Sequence, residues 1–256
     1  VPLPTSQPRR TALPTVDLIV LAGGRGSRLG GRFKPAVEVA GRTLLSRVLD
    51  AGVLAHRVVV VGPDAARDAA GPQSGPLIWA LEDPPFGGPV AGIVAGLAAL
   101  DLAAPDQAAP NLAAPNQAAG AEPDPAGSPW LLVLACDLPW AADAARLLVA
   151  AATGPAPGPA LVDGPAQVDG FHLVDADGRE QWLAGIYRAE ALRAGVRRLG
   201  SEARDASVRQ LLAGFTLRGI RDGERAGRDV DTWQDVLQST ALLNPSRSNP
   251  PRSDIR

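Results

Sequence analysis

The residue types best suited to chemistry crowd into one stretch, Leu21-Ala22-Gly23-Gly24-Arg25-Gly26-Ser27-Arg28-Leu29-Gly30-Gly31-Arg32-Phe33-Lys34. Five glycines in nine positions let backbone amides approach a polyanion closely and take up positive φ where a turn demands it. Four cations share the stretch, and of these Arg28 and Lys34 can neutralise phosphate charge. Lys34 is also the one lysine among 25 basic residues, the other 24 being arginine. In a composition tilted toward Ala, Gly, Pro and Arg, a retained lysine points to a need for a compact ammonium rather than a planar guanidinium. Chance survival of a surface lysine is the alternative.

Three acidic segments complement the cations: Asp83 behind Glu82, Asp137 in Ala135-Cys136-Asp137-Leu138-Pro139, and the pair Asp229 and Asp231 ahead of Thr232. Carboxylate oxygens of this kind hold hard cations. Each has a structural alternative: Asp83 as a turn residue, Asp137 as the cap of the helix that follows, Asp229 and Asp231 as a solvated strand end. If extended, Asp229 and Asp231 share one face. The glycine stretch is neither common phosphate loop. Gly-Lys-Ser/Thr is missing, and Gly62-Pro63 stands where a dinucleotide site would carry an acid. His56 reads as a loop or strand-edge residue, His172 as structural, and Cys136 as a small buried hydrophobe.

These residues need a scaffold, and the chain reads as one. Val16 to Ala22 is a short apolar run of buried-strand character, ending in Gly23-Gly24. Thr43 to Val53 reads as a helix, Arg57 to Val61 and Leu77 to Leu81 as strands, and Val90 to Leu100 as a helix with Pro89 in its first turn. Trp130 to Ala135 is the next strand and Ala141 to Ala152 a helix. Around Asp177-Gly178, Phe171 to Val174 and Gln181 to Tyr187 read as a hairpin. Helices follow at 189–198 and 207–213, strands at 215–220 and 228–230, and a helix from Thr232. Alternating strands and helices predict a mostly parallel sheet covered on both faces, with ligands at the carboxyl ends of its strands. Gly23, Gly24, Asp83 and Asp137 fall at such ends.

Residues 1–15 carry four prolines without periodicity and are expected to be disordered, as is the tail 244–256. A ten-residue tandem repeat, LAAPDQAAPN then LAAPNQAAGA, marks 101–128 as a flexible insertion in a single domain spanning 16–243. A net charge of -2 gives no basic footprint for nucleic acid and no polybasic membrane signal. A single cysteine permits no intrachain disulfide. With no secretory leader or membrane-length apolar run visible, the expectation is a cytoplasmic protein.

The string LAGG-x-G-x-R-x-GG-x-x-K resembles the signature loop of the nucleotidyltransferase family that includes the molybdenum cofactor guanylyltransferases and related cytidylyltransferases. Glu82 to Gly92 is similar to the family's second nucleotide loop, and Ala135 to Pro139 to its metal motif. Gln181 to Tyr187 is similar to its acceptor-side strand, and Asp229-Val230-Asp231-Thr232 to its C-terminal Asn/Asp-x-Asn/Asp-Thr segment. The resemblance implies a Rossmann-like three-layer α/β/α sandwich with a C-terminal hairpin region. It implies nucleotide binding by Leu21, Ala22, Gly23, Gly24 and Asp83, and triphosphate contacts from Arg28 and Lys34. It also implies a magnesium ion (Mg2+) held by Asp137 with Asp231, Asp229 being the alternative. The implied reaction joins GTP to molybdopterin or another phosphorylated small molecule. CTP as donor, a sugar- or polyol-phosphate acceptor, and nucleotide binding without turnover are the alternatives. Such a transfer needs an acceptor phosphate in line with the α-phosphate, a hard cation on its oxygens, and positive charge on the departing pyrophosphate. An anionic acceptor needs no general base. Trp182 and Tyr187 read as core or rim, with an aromatic wall for a pterin as the alternative.

Overall fold

The computed structural model describes residues 15–23, 27–73, 75–103, 129–154, 168–222 and 225–244. The chain opens with β1 (Val16–Leu21), followed by a glycine-rich loop and a two-strand hairpin, β2 (Glu38–Val39) and β3 (Arg42–Thr43). Next come α1 (Leu44–Val48), β4 (Val58–Val61), α2 (Ala65–Ala70), β5 (Ile78–Ala80), α3 (Gly88–Leu102), β6 (Trp130–Ala135) and α4 (Ala141–Thr153). The second half holds β7 (Gly170–Val174), β8 (Glu180–Arg188), α5 (Ala189–Leu199), α6 (Val208–Leu211), β9 (Leu217–Arg221) and α7 (Trp233–Leu243).

Seven strands form one sheet in the order β5-β4-β1-β6-β8-β7-β9. All pairings are parallel except those of β8, which runs against both β6 and β7. This is the expected mostly parallel sheet, with the hairpin inserted as β7 and β8. Alternation sorts the strand side chains to two faces: Leu18, Val20, Leu132 and Leu134 pack under α1, α2 and α4. Ile19, Leu131 and Val133 pack under α3, α5 and α6. Both faces are covered, which is why β6, and β1 from Leu18 onward, read as unbroken apolar runs. No helix among the described residues is long and apolar enough to cross a membrane.

One charged side chain interrupts β1. Asp17 is 1% exposed and is held by Arg57, whose Nη2 donates to Oδ2 at 2.5 Å and whose backbone N donates to Oδ1 at 3.1 Å. Arg57 Nη1 also donates to Leu100 O, fastening the end of α3 to the sheet.

A third, smaller core gathers distant segments: Leu29 from the glycine loop, Val37 and Val39 beside the small hairpin, Leu44 of α1, Val230, and Val236 of α7. The Ala40 amide donates to Thr240 Oγ1, so α7 is tied to the hairpin by a hydrogen bond as well. The start of α7 is fixed by a capping box: Thr232 Oγ1 accepts from Asp235 N, and Asp235 Oδ2 accepts from Thr232 N at 2.7 Å and from Asp231 N at 3.1 Å.

Several sequence expectations differ in detail. Thr43 caps a helix that stays α-helical only to Val48; Gly52 and β-branched Val53 weaken its continuation, and 49–54 winds as a 3-10 helix. No strand forms at 228–230. Val230 is buried in the third core, and its amide bonds Asp137 O rather than a sheet partner. The helix α3 runs on through Asp101 and Leu102, which the insertion had been expected to include. The rest of that segment, 104–128, lies outside the described residues, as do 1–14 and 245–256. The β2–β3 hairpin and α2 were not anticipated. The hairpin turn puts Ala40 at φ 51° and Gly41 at φ 76°, the conformation for which Asn-Gly is the readable signal.

Removing one partner of the Asp17–Arg57 pair, by Arg57→Ala, leaves a buried uncompensated carboxylate and is expected to cost about 3–5 kcal/mol in chemical denaturation. Thr232→Ala removes the cap of α7. It is expected to cost about 1 kcal/mol, with faster amide exchange confined to α7 and the segment before it, whereas Thr232→Ser keeps wild-type values.

Candidate active site at the carboxyl edge of the sheet

Because β8 alone runs in reverse, the carboxyl ends of the other six strands and the amino end of β8 share one edge. The chain proceeds from β1 outward through β4 to β5, then returns to place β6 on the other side of β1. The crevice of such a sheet lies where the order reverses. Here Leu21 pairs with Ala135 across that point, so the Ala22-Gly23 and Cys136-Asp137 turns leave the sheet side by side. Cys136 N donates to Leu21 O, and Ala22 N donates to Val61 O, fixing both turns to their neighbours.

Lys34 reaches this crevice from a 3-10 turn, Lys34–Ala36, that Pro35 helps to shape. Successive positive-φ residues Gly30 (69°) and Gly31 (75°) reverse the chain ahead of it, a path open to glycine. The Lys34 ammonium donates to Asp137 Oδ2 at 2.7 Å and to Asp231 Oδ1 at 2.5 Å. Arg28 Nη1 donates to the other Asp231 oxygen at 2.9 Å. The side chains of Lys34 and Asp137 are 13% and 19% exposed, that of Asp231 38%, and Arg28 lies open at 73%. Burial by itself opposes the Lys34 charge. Attraction to Asp137 and hydrogen bonds to both carboxylates outweigh it and hold the ammonium above the ordinary lysine value. The Val230 amide donates to Asp137 O at 3.0 Å, so the backbone carrying Asp231 is pinned to the turn carrying Asp137. Asp229 lies at the rim; burial, followed by the charges of Asp137 and Asp231, raises its pKa.

Asp137 and Asp231 each direct a carboxylate oxygen at the one ammonium, 2.7 and 2.5 Å away, and so offer hard donors toward one point. The donors are hard oxygens, as Mg2+ requires, and Mg2+ commonly takes one or two protein carboxylates and completes its shell with water and substrate phosphate. No group of three or more metal-ligating side chains occurs among the described residues, so that pattern, and not an all-protein cage, is the one these residues fit. Asp231 makes the Lys34 contact; Asp229 does not.

On the β4–β5 side, Leu21 and Ala22 are buried and Gly23 is exposed, while Gly24 lies outside the described residues. Asp83 is exposed in the loop after β5. Its neighbour Glu82, which the sequence reading did not single out, turns inward. Its Oε2 accepts from Gly87 N at 2.8 Å, and Oε1 lies 3.7 Å from where a Gly23 Cβ would stand and 3.3 Å from that of Gly92. Arg204 was also missed: Nη1 donates to Pro84 O, and Asp205 N donates to Gly87 O, fixing this loop from the second half of the chain.

On the other side of Asp137, β8 bulges. His172 of β7 pairs with Gly185 and Leu173 with Gln181, leaving Trp182, Leu183 and Ala184 without partners on β7. The Trp182 carbonyl accepts from Tyr187 Oη at 2.6 Å, and that hydroxyl passes so close over Gly185 that a Cβ would collide with it. Tyr187, 1% exposed, is core; Trp182 is half-buried and lines a cleft of about 260 Å3 with Asp137, Asp229 and Glu180. Cys136 is buried, and burial pushes its thiol pKa up. The exposed imidazole of His56 lies on the opposite edge, beside Asp17 at the start of β1.

Known proteins are similar to this chain to different extents. The chain is 32% identical over 135 residues to a molybdenum cofactor guanylyltransferase of Pseudomonas putida, an overlap of 50% of this chain and 53% of that one. It is 42% identical over 86 residues to the enzyme of the same name from Rhodopseudomonas palustris, an overlap of 33% of this chain and 40% of that one. The chain thus spans about half the length, or less, of these curated relatives. Molybdopterin-guanine dinucleotide biosynthesis protein A from Archaeoglobus fulgidus shares the fold at TM-score 0.59 and 17% identity, over 90% of this chain and 99% of that one. A 4-diphosphocytidyl-2C-methyl-D-erythritol synthase from Anaerococcus prevotii does so at TM-score 0.57 and 15% identity, over 90% and 96%. The model of the MobA-like NTP transferase domain matches residues 18–220, from within β1 to within β9, a span that holds Arg28, Lys34 and Asp137. By that match the chain belongs to the MobA-like NTP transferase domain family.

Proposed function

We propose that the protein transfers GMP from GTP to the terminal phosphate of molybdopterin, or of its molybdenum-loaded form, releasing pyrophosphate in the cytoplasm. The observation that carries the transfer chemistry is the Lys34 ammonium shared by Asp137 and Asp231, with Arg28 alongside, at the reversal of strand order. The choice of donor and acceptor rests on family membership and on the relatives named molybdenum cofactor guanylyltransferase.

In this reading Asp137 and Asp231 would hold Mg2+, which when bound would supply positive charge to the nucleotide phosphates. Lys34 stands between the two carboxylates in their ion-paired state and turns to the triphosphate when the nucleotide arrives. Arg28, exposed beside Asp231, adds positive charge to the pyrophosphate as it departs. Leu21 to Gly24 and the loop bearing Glu82 and Asp83 receive the nucleoside on the β4–β5 side. An acceptor phosphate oxygen attacks the α-phosphorus, the bond to the bridging β-phosphate oxygen breaks, and pyrophosphate carries the electron pair away. The acceptor is already anionic, so no side chain has to remove a proton.

Lys34→Ala is expected to lower kcat/KM about 10²–10³-fold in a pyrophosphate-release assay, by analogy with the loss of one preorganised donor to developing charge. Lys34→Arg should not restore it, because a planar fork cannot replace a compact ammonium between two carboxylates. Asp137→Asn should lose the dependence on magnesium. GTP with magnesium at a hundredfold excess over its dissociation constant should stabilise the protein by about 2.7 kcal/mol, a rise in Tm of roughly 5–10 °C. A shift with CTP and none with GTP would replace guanylyl by cytidylyl transfer.

A further inference from the structure

The loop between β5 and α3, residues 81–87, carries Glu82 and Asp83 and is held in an unfavourable shape. Phe86 has φ 66°, a left-handed conformation that costs a bulky side chain free energy. Such an outlier persists only where its surroundings over-determine it, and its neighbour Gly87 shows how they do so. The Gly87 amide donates to Glu82 Oε2 at 2.8 Å, and the Gly87 carbonyl accepts from Asp205 N at 2.9 Å. Arg204 Nη1 donates to Pro84 O at 2.9 Å. Two loop carbonyls are thus gripped by one dipeptide from the second half of the chain. A Cβ at Gly87 would stand 2.8 Å from the Ala91 Cβ and 3.3 Å from the Arg204 Cγ, so the absence of a side chain there lets the arginine lie across the loop.

Arg204 and Asp205 have a rigid base. Ala203 and Ala206 on either side of them are buried in the core beneath α3. Asp205 itself takes φ 63°, a conformation that aspartate tolerates better than phenylalanine. Ser207 then opens α6 with a capping box, and Arg198 Nη2 donates to Gln210 O and Leu211 O, tying α6 back to α5. The Arg204 side chain is 42% exposed, and the carboxylate 3.8 Å from its Nε, that of Asp205, is 77% exposed. An exposed pair of this kind adds little to stability, so the grip on Pro84 is what this arginine contributes.

We infer that Arg204 and Asp205 form a clasp that positions the loop after β5, holding it in its nucleoside-binding shape before the nucleotide arrives. The inference rests on the reading above that this loop receives the nucleoside. A loop free to relax Phe86 would hold the competent shape only part of the time, and apparent affinity falls by that fraction. The bound state selects the same shape with or without the clasp. Arg204 therefore acts on nucleotide binding and not on the transfer step at Asp137 and Asp231. It is a positioning residue, and what it positions is the Gly87 peptide with the Glu82 carboxylate that the Gly87 amide fixes.

The test is calorimetric titration of the full chain with GTP and magnesium, read alongside pyrophosphate release and amide exchange of the nucleotide-free protein. Arg204→Ala should raise the Kd and KM for GTP about tenfold, as expected if a tenth of the unclasped loops are competent. It should leave kcat and the nucleotide-free Tm at wild-type values and speed exchange of the Gly87 amide. Arg204→Lys, which keeps a donor for Pro84 O, should recover most of the affinity. Arg193→Ala removes an ion pair with Asp101 elsewhere on α5 and should change none of these. The inference is overturned if Arg204→Ala binds GTP as the wild type does, if Arg204→Lys is as weak as Arg204→Ala, or if kcat falls while KM holds. GTP binding that depends on Arg204 without transfer of GMP to molybdopterin would refute the proposed reaction alone. Transfer with a GTP affinity indifferent to Arg204 would refute the clasp alone.

Discussion

Two carboxylates converging on one point need a cation between them, and in this chain that requirement falls on Asp137, Asp231 and Lys34. Like charges so close repel unless a counter-charge sits between them. An ammonium meets the need with three donors on one atom, 2.7 Å from one aspartate and 2.5 Å from the other. A guanidinium would spread the same charge over a plane, with its donors in a fixed fork. The single lysine of an arginine-rich sequence stands where two carboxylates meet one compact ammonium.

The rest of the structure serves that convergence. Asp137 is delivered by β6, paired to β1 so that its turn emerges beside the glycine loop. Asp231 comes from nearly two hundred residues beyond Lys34. It is held by three independent devices: the Val230 amide on Asp137 O, the Asp235 carboxylate on its own amide, and Val230 and Val236 in the third core with Leu29 and Leu44. That small core packs the segment after the glycine loop and α7 against each other. The bulge at Trp182 to Ala184 shapes the other flank, and Tyr187 with Gly185 makes it affordable by satisfying the carbonyl that the bulge leaves unpaired.

Much of this was legible in the sequence because local rules and tertiary needs agree there. Doubly buried β6, and β1 from Leu18 onward, are apolar without alternation, Pro89 opens α3, and Gly178 turns the β7–β8 hairpin. The glycine loop and Lys34 stood out by residue type, and Asp137 by its place at a strand end and by the family resemblance. Elements whose stability comes from remote contacts were harder to read. The two-residue strands β2 and β3 carry no periodicity, six-residue α2 buries only the small side chains of Ala66, Ala69 and Ala70, and the extended segment at 228–230 looks like a strand until Val230 is seen to spend its amide on Asp137. Glu82 was hidden for a related reason. Nothing in Glu82-Asp83 says which carboxylate turns inward; the Gly87 amide and the side-chain-free faces of Gly23 and Gly92 decide it.

The central claim is that one position between Asp137 and Asp231 serves first the Lys34 ammonium and then a divalent ion, as the lysine moves to the triphosphate. Anomalous scattering from manganese in crystals grown with a non-hydrolysable GTP analogue tests it most directly. The account predicts a manganese peak bonded to both Asp137 and Asp231, with Lys34 Nζ withdrawn from them onto phosphate oxygens. Manganese bound elsewhere, with the ammonium still seated between the two aspartates beside a bound nucleotide, would contradict it.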